Sequence, residues 1–191
     1  MRLEDTAIPD VKIVHLDAHA DPRGLFSELW DAAKFENLGI SENWVLDGLS
    51  RQTRKGTVRA LHFQTPPRAQ AKLVRVSRGQ ALDVAVDLRQ GSATFGRHVA
   101  IDLNEHEWKL LYIPTGFAHG FCALEDGTEL TYKLSAPYSP DCNHLGLLWN
   151  DPDLGIGWPV DEASAILAER DKTFPHLKDL PPVFGRDGGA P

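Results

Sequence analysis

Two side chains in the stretch 56–79, GTVRALHFQTPPRAQAKLVRVSRG, have the types and spacing for proton chemistry: His62 and Lys72. A neutral imidazole takes a proton near neutral pH. An ammonium close by stabilises the oxyanion formed when a carbon next to a carbonyl loses that proton. The two residues fall on neighbouring strand-like runs joined by the Pro66–Pro67 turn. Alternation along the first run puts Val58, Ala60 and His62 on one face and Thr57, Arg59, Leu61 and Phe63 on the other. Lys72 opens the second run, KLVRVS, so its ammonium is expected at the lip of the same cavity. Two ordinary readings stay open at this point: a strand histidine held by hydrogen bonds for structural reasons, and a solvated surface lysine.

The elements that must position this pair are short and rich in β-formers. VKIVHL at 11–16 reads as a strand, and LFSELW follows the turn signals Asp-Pro and Arg-Gly. Within that region Arg23, Phe26 and Glu28 are read either as a turn arginine, a core phenylalanine and a solvated glutamate, or as ligand contacts. Residues 30–39 carry Trp30, Ala33 and Leu38 near helical spacing with Gly39 as a stop, and SENWVLDGLSRQTRKG at 41–56 carries Trp44, Val45 and Leu46 into a polar, basic loop ending at Gly56. QALDVAVDLRQGS alternates Leu82, Val84, Val86 and Leu88 against Asp83, Asp87 and Arg89, which predicts a half-buried strand. Short β-rich runs punctuated by Gly, Asn, Pro and Asp-Gly continue to about residue 140, the pattern of a sandwich or barrel. DEASAILAERDKTF, with Asp161 as N-cap, predicts a short C-terminal helix.

The chain has 191 residues, of which 42% are hydrophobic and 25% charged, enough for one domain with a real core. That domain is expected over 1–185, with a disordered tail at 186–191. A formal net charge of -7 argues against a sequence-independent nucleic-acid surface or an anionic-membrane binder. Any anionic ligand must then be met by individually placed arginines. Cys122 and Cys142 have no metal-ligand spacing, so neither a disulfide framework nor a thiolate site is expected. No basic leader with an apolar run and no membrane-length apolar segment is visible, so a soluble cytoplasmic protein is expected.

Two stretches stand out as a pair: His62, Gln64 and Lys72 within 56–79, and PTGFAH with Pro114, Gly116 and His119. They resemble the two motifs of the cupins, whose metal-binding members place three histidines and a glutamate around one divalent ion. Here Gln64 replaces a histidine and Lys72 stands where the glutamate would be. A protonated ammonium repels a dication and offers no lone pair, so no metal is expected. The fold expected is all-β, a cupin-type jelly roll or β-barrel with short flanking helices.

RGLFSELW, the segment RALHFQTPPRAQAKLVRVSRGQALDVAVDLRQGSATFG, LYIPTGFAHGF, DGTELTYKLSAPYSP and WNDPDLGIGWP together resemble the dTDP-4-dehydrorhamnose 3,5-epimerase family, from about Val11 to about Leu177. The resemblance implies cofactor-independent 3,5-epimerisation of a 4-keto-6-deoxy nucleotide sugar. It makes His62 the general base, Asp171 its carboxylate partner, Lys72 the enolate-stabilising cation and Tyr132 the acid on the opposite face. Without it, Tyr132 reads as a strand aromatic and Asp171 as a solvated helix residue. It also implies that Arg23 and Arg59 contact phosphate and sugar, that Phe26 and Tyr138 stack on the base, that Glu28 accepts from the thymine N–H, and that His119 lines the substrate. A guanidinium suits a diphosphate because it donates bidentately. A homodimer is implied as well.

The chain departs from the family pattern at Asp47 and Leu49, where the family shows a glutamine and an asparagine, and at Ala60 and Arg170, where it shows a glycine and a lysine. The first pair bears on sugar recognition, so an enzyme that inverts C3 or C5 alone, or uses another nucleotide sugar, is the alternative. A non-catalytic nucleotide-sugar-binding cupin is the alternative of another class, disfavoured by the intact His62, Lys72, Tyr132 and Asp171. A metal-dependent cupin oxygenase is disfavoured by Gln64 and Lys72.

Overall fold

Alternating apolar residues on short runs leave each strand one face to bury, and two sheets packed face to face satisfy them together. The computed structural model describes residues 1–139 and 146–191, and Cys142 lies outside the described residues. The strands are β1 (Arg2–Asp5), β2 (Lys12–His15), β3 (Ala18–Asp21), β4 (Gly24–Ser27), β5 (Leu46–Arg51) and β6 (Val58–His62), then β7 (Lys72–Arg78), β8 (Gln80–Asp87), β9 (His98–Asn104), β10 (Lys109–Ile113), β11 (Phe117–Ala123) and β12 (Glu129–Leu134). One sheet runs β1-β2-β10-β7-β12-β5, a second β6-β11-β8-β9, and β3 and β4 form a separate hairpin. Neighbouring strands are antiparallel throughout. This is the expected cupin-type jelly roll.

The central core lies between the two large sheets, where Val74, Val76, Leu111 and Leu130 meet Ala85, Leu103, Phe117 and Phe121. A second core covers the outer face of the smaller sheet: Val58, Leu61, Val84 and Val86 pack under Leu147, Trp149, Leu154 and Phe184 from the C-terminal segment. β8 is therefore buried on both faces, in contrast to the half-buried strand its alternation predicts, and Asp83 and Asp87 are fully buried. The C-terminal segment supplies the cover that the local pattern does not reveal.

Helix α1 (Ala32–Asn37) forms where helical spacing suggests one, with Asp31 Oδ1 accepting the Lys34 N–H at 2.9 Å as its N-cap. Its anchor is Phe35, buried against Val14, Leu73 and Leu110, whereas Trp30 is partly exposed. The predicted C-terminal helix does not form. Asp161 accepts the Ser164 N–H and closes a single turn, after which Ile166 bridges to Thr57 and a 3₁₀ turn runs over Glu169–Lys172. Backbone pairing of Ile166 with Thr57 and the packing of Ala165 and Leu167 against the second core outweigh the helical propensity of the run. The tail beyond 185, expected to be disordered, begins in a turn closed by Gly185 N–H to Gly189 O at 2.9 Å and Gly188 N–H to Gly185 O at 3.0 Å.

Candidate active site

The chemistry-bearing side chains meet in a cavity lined by strands of both large sheets. β6 and β11 contribute His62 and His119, which are direct register partners. β7 and β12 contribute Lys72 and Tyr132 from the facing sheet. Along β6 the alternation expected from sequence fails. Between the pairs His119–His62 and Phe121–Arg59 the register slips by one residue, a β-bulge that changes the phase of the side chains. As a result Arg59 and His62 line one cavity, while Val58, Ala60 and Leu61 all pack into the second core. Gly120 sits at the bulge because a Cβ there would lie 2.4 Å from the Ala60 Cβ.

The cavity has a volume of about 240 Å³ and is walled by Ser50, Arg59, His62, Gln70, Lys72, His119, Phe121, Tyr132 and Leu134. His62 Nε2 lies 3.0 Å from Oδ1 of Asp171, which is 2% exposed. A carboxylate can only accept, so Nε2 carries the hydrogen and the basic lone pair falls on Nδ1. Asp171 reaches this position on the 3₁₀ turn that replaces the predicted helix, and Arg170 Nε contacts the same oxygen at 3.3 Å. Phe174 packs edge-on to the His62 ring at 5.8 Å. Gly146 leaves room for that phenyl ring, since a Cβ on it would come within 2.5 Å of Phe174.

Lys72 is buried, and desolvation pulls its ammonium down to about 8 despite the opposing Asp83 charge. Its Nζ reaches the His62 carbonyl at 3.4 Å. The Asp83 carboxylate is completely buried and accepts from His119 Nε2 at 3.0 and 3.1 Å. Burial is the main force lowering the His119 pKa, opposed by Asp83 and reinforced by the Lys72 charge. Burial, with the Asp83 charge added, raises the Tyr132 phenol above its ordinary value, so the hydroxyl stays protonated and can act as an acid. Tyr132 meets the His119 ring edge-on at 6.3 Å. Arg59 is aimed by Gln52: its Nε donates to Gln52 Oε1 at 2.9 Å, and Gln52 Nε2 donates to Ser50 Oγ at 2.9 Å.

The remaining candidates lie elsewhere. Arg23, Phe26 and Glu28 belong to the β3–β4 hairpin and the residue just beyond it, away from this cavity; Phe26 is 66% exposed, Arg23 pairs with Asp21, and Glu28 pairs with Lys34. Tyr138 is 56% exposed on the arm that leaves β12. Gln64 does not point into the cavity, and its amide is engaged by the segment around Tyr138. Among the described residues no group of three His, Cys, Asp or Glu side chains is arranged to hold a metal ion. No helix among them is long and apolar enough to cross a membrane.

This geometry offers a carboxylate-supported base, a desolvated cation and a protonated phenol around one small cavity. The family model described as dTDP-4-dehydrorhamnose 3,5-epimerase matches residues 5–179. The chain belongs to this family. It is 41% identical over 184 residues to the dTDP-4-dehydrorhamnose 3,5-epimerase of Sinorhizobium fredii, covering 96% of this chain and 93% of that protein. The fold superposes with TM-score 0.88 and 36% identity on dTDP-6-deoxy-D-glucose-3,5-epimerase from Legionella pneumophila Philadelphia 1 in complex with dTDP-4-keto-L-rhamnose, over 94% of each chain. It also superposes, with TM-score 0.84 and 29% identity, on the 3'-monoepimerase ChmJ from Streptomyces bikiniensis in complex with dTDP-quinovose, over 93% of this chain and 88% of that one. The chain is thus an isomerase of the epimerase type.

Sequence reasoning did not single out Ser50, Gln52, Gln70 or Phe121. The run after Trp44, Val45 and Leu46 reads as a polar loop ending at Gly56, yet β5 occupies Leu46–Arg51. The signal was present: Leu46, Gly48 and Ser50 are the half-buried members of a period-two pattern against the exposed Asp47, Leu49 and Arg51. Asp47 and Leu49 accordingly point to the outer side of the sheet, where Asp47 pairs with Lys133 at 2.8 Å.

Proposed function

We propose that this member of the dTDP-4-dehydrorhamnose 3,5-epimerase family converts dTDP-4-dehydro-6-deoxy-D-glucose to dTDP-4-dehydro-L-rhamnose by proton transfer between the two walls of the cavity. His62 Nδ1 removes the proton from C5, and in a second round from C3. The C–H electron pair moves into the ring, and the C4 carbonyl becomes an enolate. Lys72 donates to the enolate oxygen, a role suited to a buried ammonium because charge interactions strengthen where water is excluded. Tyr132 delivers its hydroxyl proton to the opposite face of the same carbon. Solvent then takes the proton from His62 and restores the one on Tyr132. Asp171 stabilises the imidazolium in between. The carrying observation is the convergence of the His62–Asp171 pair, Lys72 and Tyr132 on one cavity.

The sugar fits within about 240 Å³ beside Arg59 and His119, so the nucleoside diphosphate must extend outside. Arg23, Phe26 and Glu28 are exposed on the hairpin, which suits residues supplied to the cavity of a second copy. A groove of about 570 Å³, in which Leu29, Trp30, Leu49, Leu73 and Leu110 are flanked by the polar Asp47, Arg75 and Lys133, is a surface for that copy to cover. The working unit in this reading is a cytoplasmic homodimer.

Incubation with dTDP-4-keto-6-deoxyglucose in D₂O, followed by NMR at C3 and C5, tests the reaction. Deuterium at both centres with formation of the L-configured product is expected. The fold neighbour described as a 3'-monoepimerase supports one second reading, single-centre inversion, which predicts label at C3 alone. Absence of label at both centres rejects both readings.

A further inference from the structure

The ladder of β12 with β7 ends at Leu134, opposite Lys72, and is carried one residue further by the Ser135 N–H donating to the Ala71 carbonyl at 3.1 Å. Beyond it, side-chain bonds to the β6–β7 connection hold the described residues of the arm, up to Ser139. Gln64, 2% exposed and two residues beyond the His62 base, donates from Nε2 to the Arg68 carbonyl at 2.7 Å and the Pro137 carbonyl at 3.2 Å. Its Oε1 accepts the Ser139 N–H at 2.9 Å. Tyr138 lies between the two arm residues that Gln64 grips. Gln70, on the cavity wall, donates to the Ala136 carbonyl at 2.7 Å, and Ser135 Oγ accepts the Ala71 N–H at 2.8 Å.

We propose that Gln64 and Gln70 are positioning residues for Tyr138, fixing the arm so that its ring is presented to the nucleobase. This rests on the reading that Tyr138 stacks on the base. The side-chain chemistry is selective. A primary amide alone among side chains of this length supplies two donors and an acceptor, and it does so here to two carbonyls and one N–H. A glutamate at position 64 would set a negative oxygen against the Arg68 and Pro137 carbonyls, and a methionine would fill the space with no hydrogen bonds. An arm left ungripped would have to be ordered by the ligand itself, and that entropy would be taken from affinity. Gln64 thereby ties the strand carrying the base to the segment carrying the stacking ring, and its effect falls on substrate binding more than on the proton transfers.

The test uses full-length Gln64→Met, Gln70→Met, Tyr138→Ala and the Gln64→Met/Tyr138→Ala double variant. Thymidine diphosphate affinity is measured by calorimetry, turnover by KM and kcat, and backbone hydrogen exchange over residues 135–139. Tyr138→Ala is expected to weaken thymidine diphosphate binding about 5- to 150-fold, the range set by base–aromatic stacking. Gln64→Met is expected to lose most of the same factor, to raise KM more than it lowers kcat, and to speed exchange of the Ser139 amide. The double variant should bind no more weakly than Tyr138→Ala, because both changes remove one interaction. Gln70→Met should give a smaller loss of the same kind and serves if Gln64→Met does not fold. Multiplying losses in the double variant, or unchanged affinity and unchanged exchange in both glutamine variants, would overturn the proposal. If exchange rises but Tyr138→Ala binds normally, the grip is upheld and the stacking reading is what fails.

Discussion

His62 on β6 and Tyr132 on β12 belong to different sheets, yet both side chains wall the same small cavity. A carbon held between them can lose a proton to one wall and receive one from the other, which is the geometric requirement for inversion. Lys72 enters the same cavity from β7, beside Tyr132's strand, as a buried cation between the two walls. Each catalytic role can therefore be separated by substitution.

Deleting the base should stop exchange at both carbons. In His62→Ala the rate of deuterium entry at C3 and C5 is expected to fall about 10²- to 10⁴-fold, the usual contribution of a positioned base. Asp171→Asn should fall between this variant and the wild type, because the amide oxygen can still accept from Nε2 while the imidazolium loses its counter-charge. Near-normal exchange in His62→Ala would reassign the base.

The alkaline side of the pH profile should report Lys72. Its conjugate acid titrates at about 8, below an ordinary lysine, and only the charged form stabilises an enolate. kcat/KM is thus expected to decline as pH rises through about 8. Asp83 opposes this lowering, so Asp83→Asn should move the decline to lower pH. Lys72→Met should lower the rate about 10²- to 10³-fold and abolish that limb, in line with loss of one oxyanion partner. A limb unmoved in Asp83→Asn would remove Lys72 from its assignment.

The positions of Arg23 and Phe26 on an exposed hairpin lead to a subunit-mixing prediction. Arg23→Ala and His62→Ala should each be nearly inactive alone. Mixed and allowed to exchange subunits, they should regain one intact site per mixed dimer, about half the activity of a wild-type dimer, since one cavity then carries both native residues. No recovery in a mixture shown to contain mixed dimers would place Arg23 in its own subunit's site or outside the reaction.

Much of this arrangement was legible in sequence because it depends on spacing and residue type. His62, Lys72, His119 and Tyr132 sit on runs whose β-pattern is strong, and strand pairing brings them together. What escaped depends on partners distant in the chain. The bulge that turns Arg59 and His62 to the same cavity arises from pairing with β11, and no local pattern on β6 announces it. Asp83 stands on the polar side of an amphipathic strand as a neighbour for Lys72 or His119, and the fold pairs it with His119; what the local pattern hides is the cover over the second face of β8 by chain from residue 147 onward. ILAERDK looked helical until Ile166 is seen bridged to Thr57, which turns the chain and delivers Asp171 beneath His62.

The division of labour between base and acid is tested most directly by Tyr132→Phe in D₂O, with label and configuration at C5 followed in the same NMR experiment. His62 and Lys72 are unaltered in this variant, so the enolate should still form and deuterium should still enter. The enolate should then recapture its proton mainly from the His62 side, giving labelled sugar of unchanged configuration and strongly reduced L-configured product. Inversion at the wild-type rate would show that another group is the acid, and loss of label as complete as in His62→Ala would show that Tyr132 is required to form the enolate; either result contradicts the two-wall mechanism.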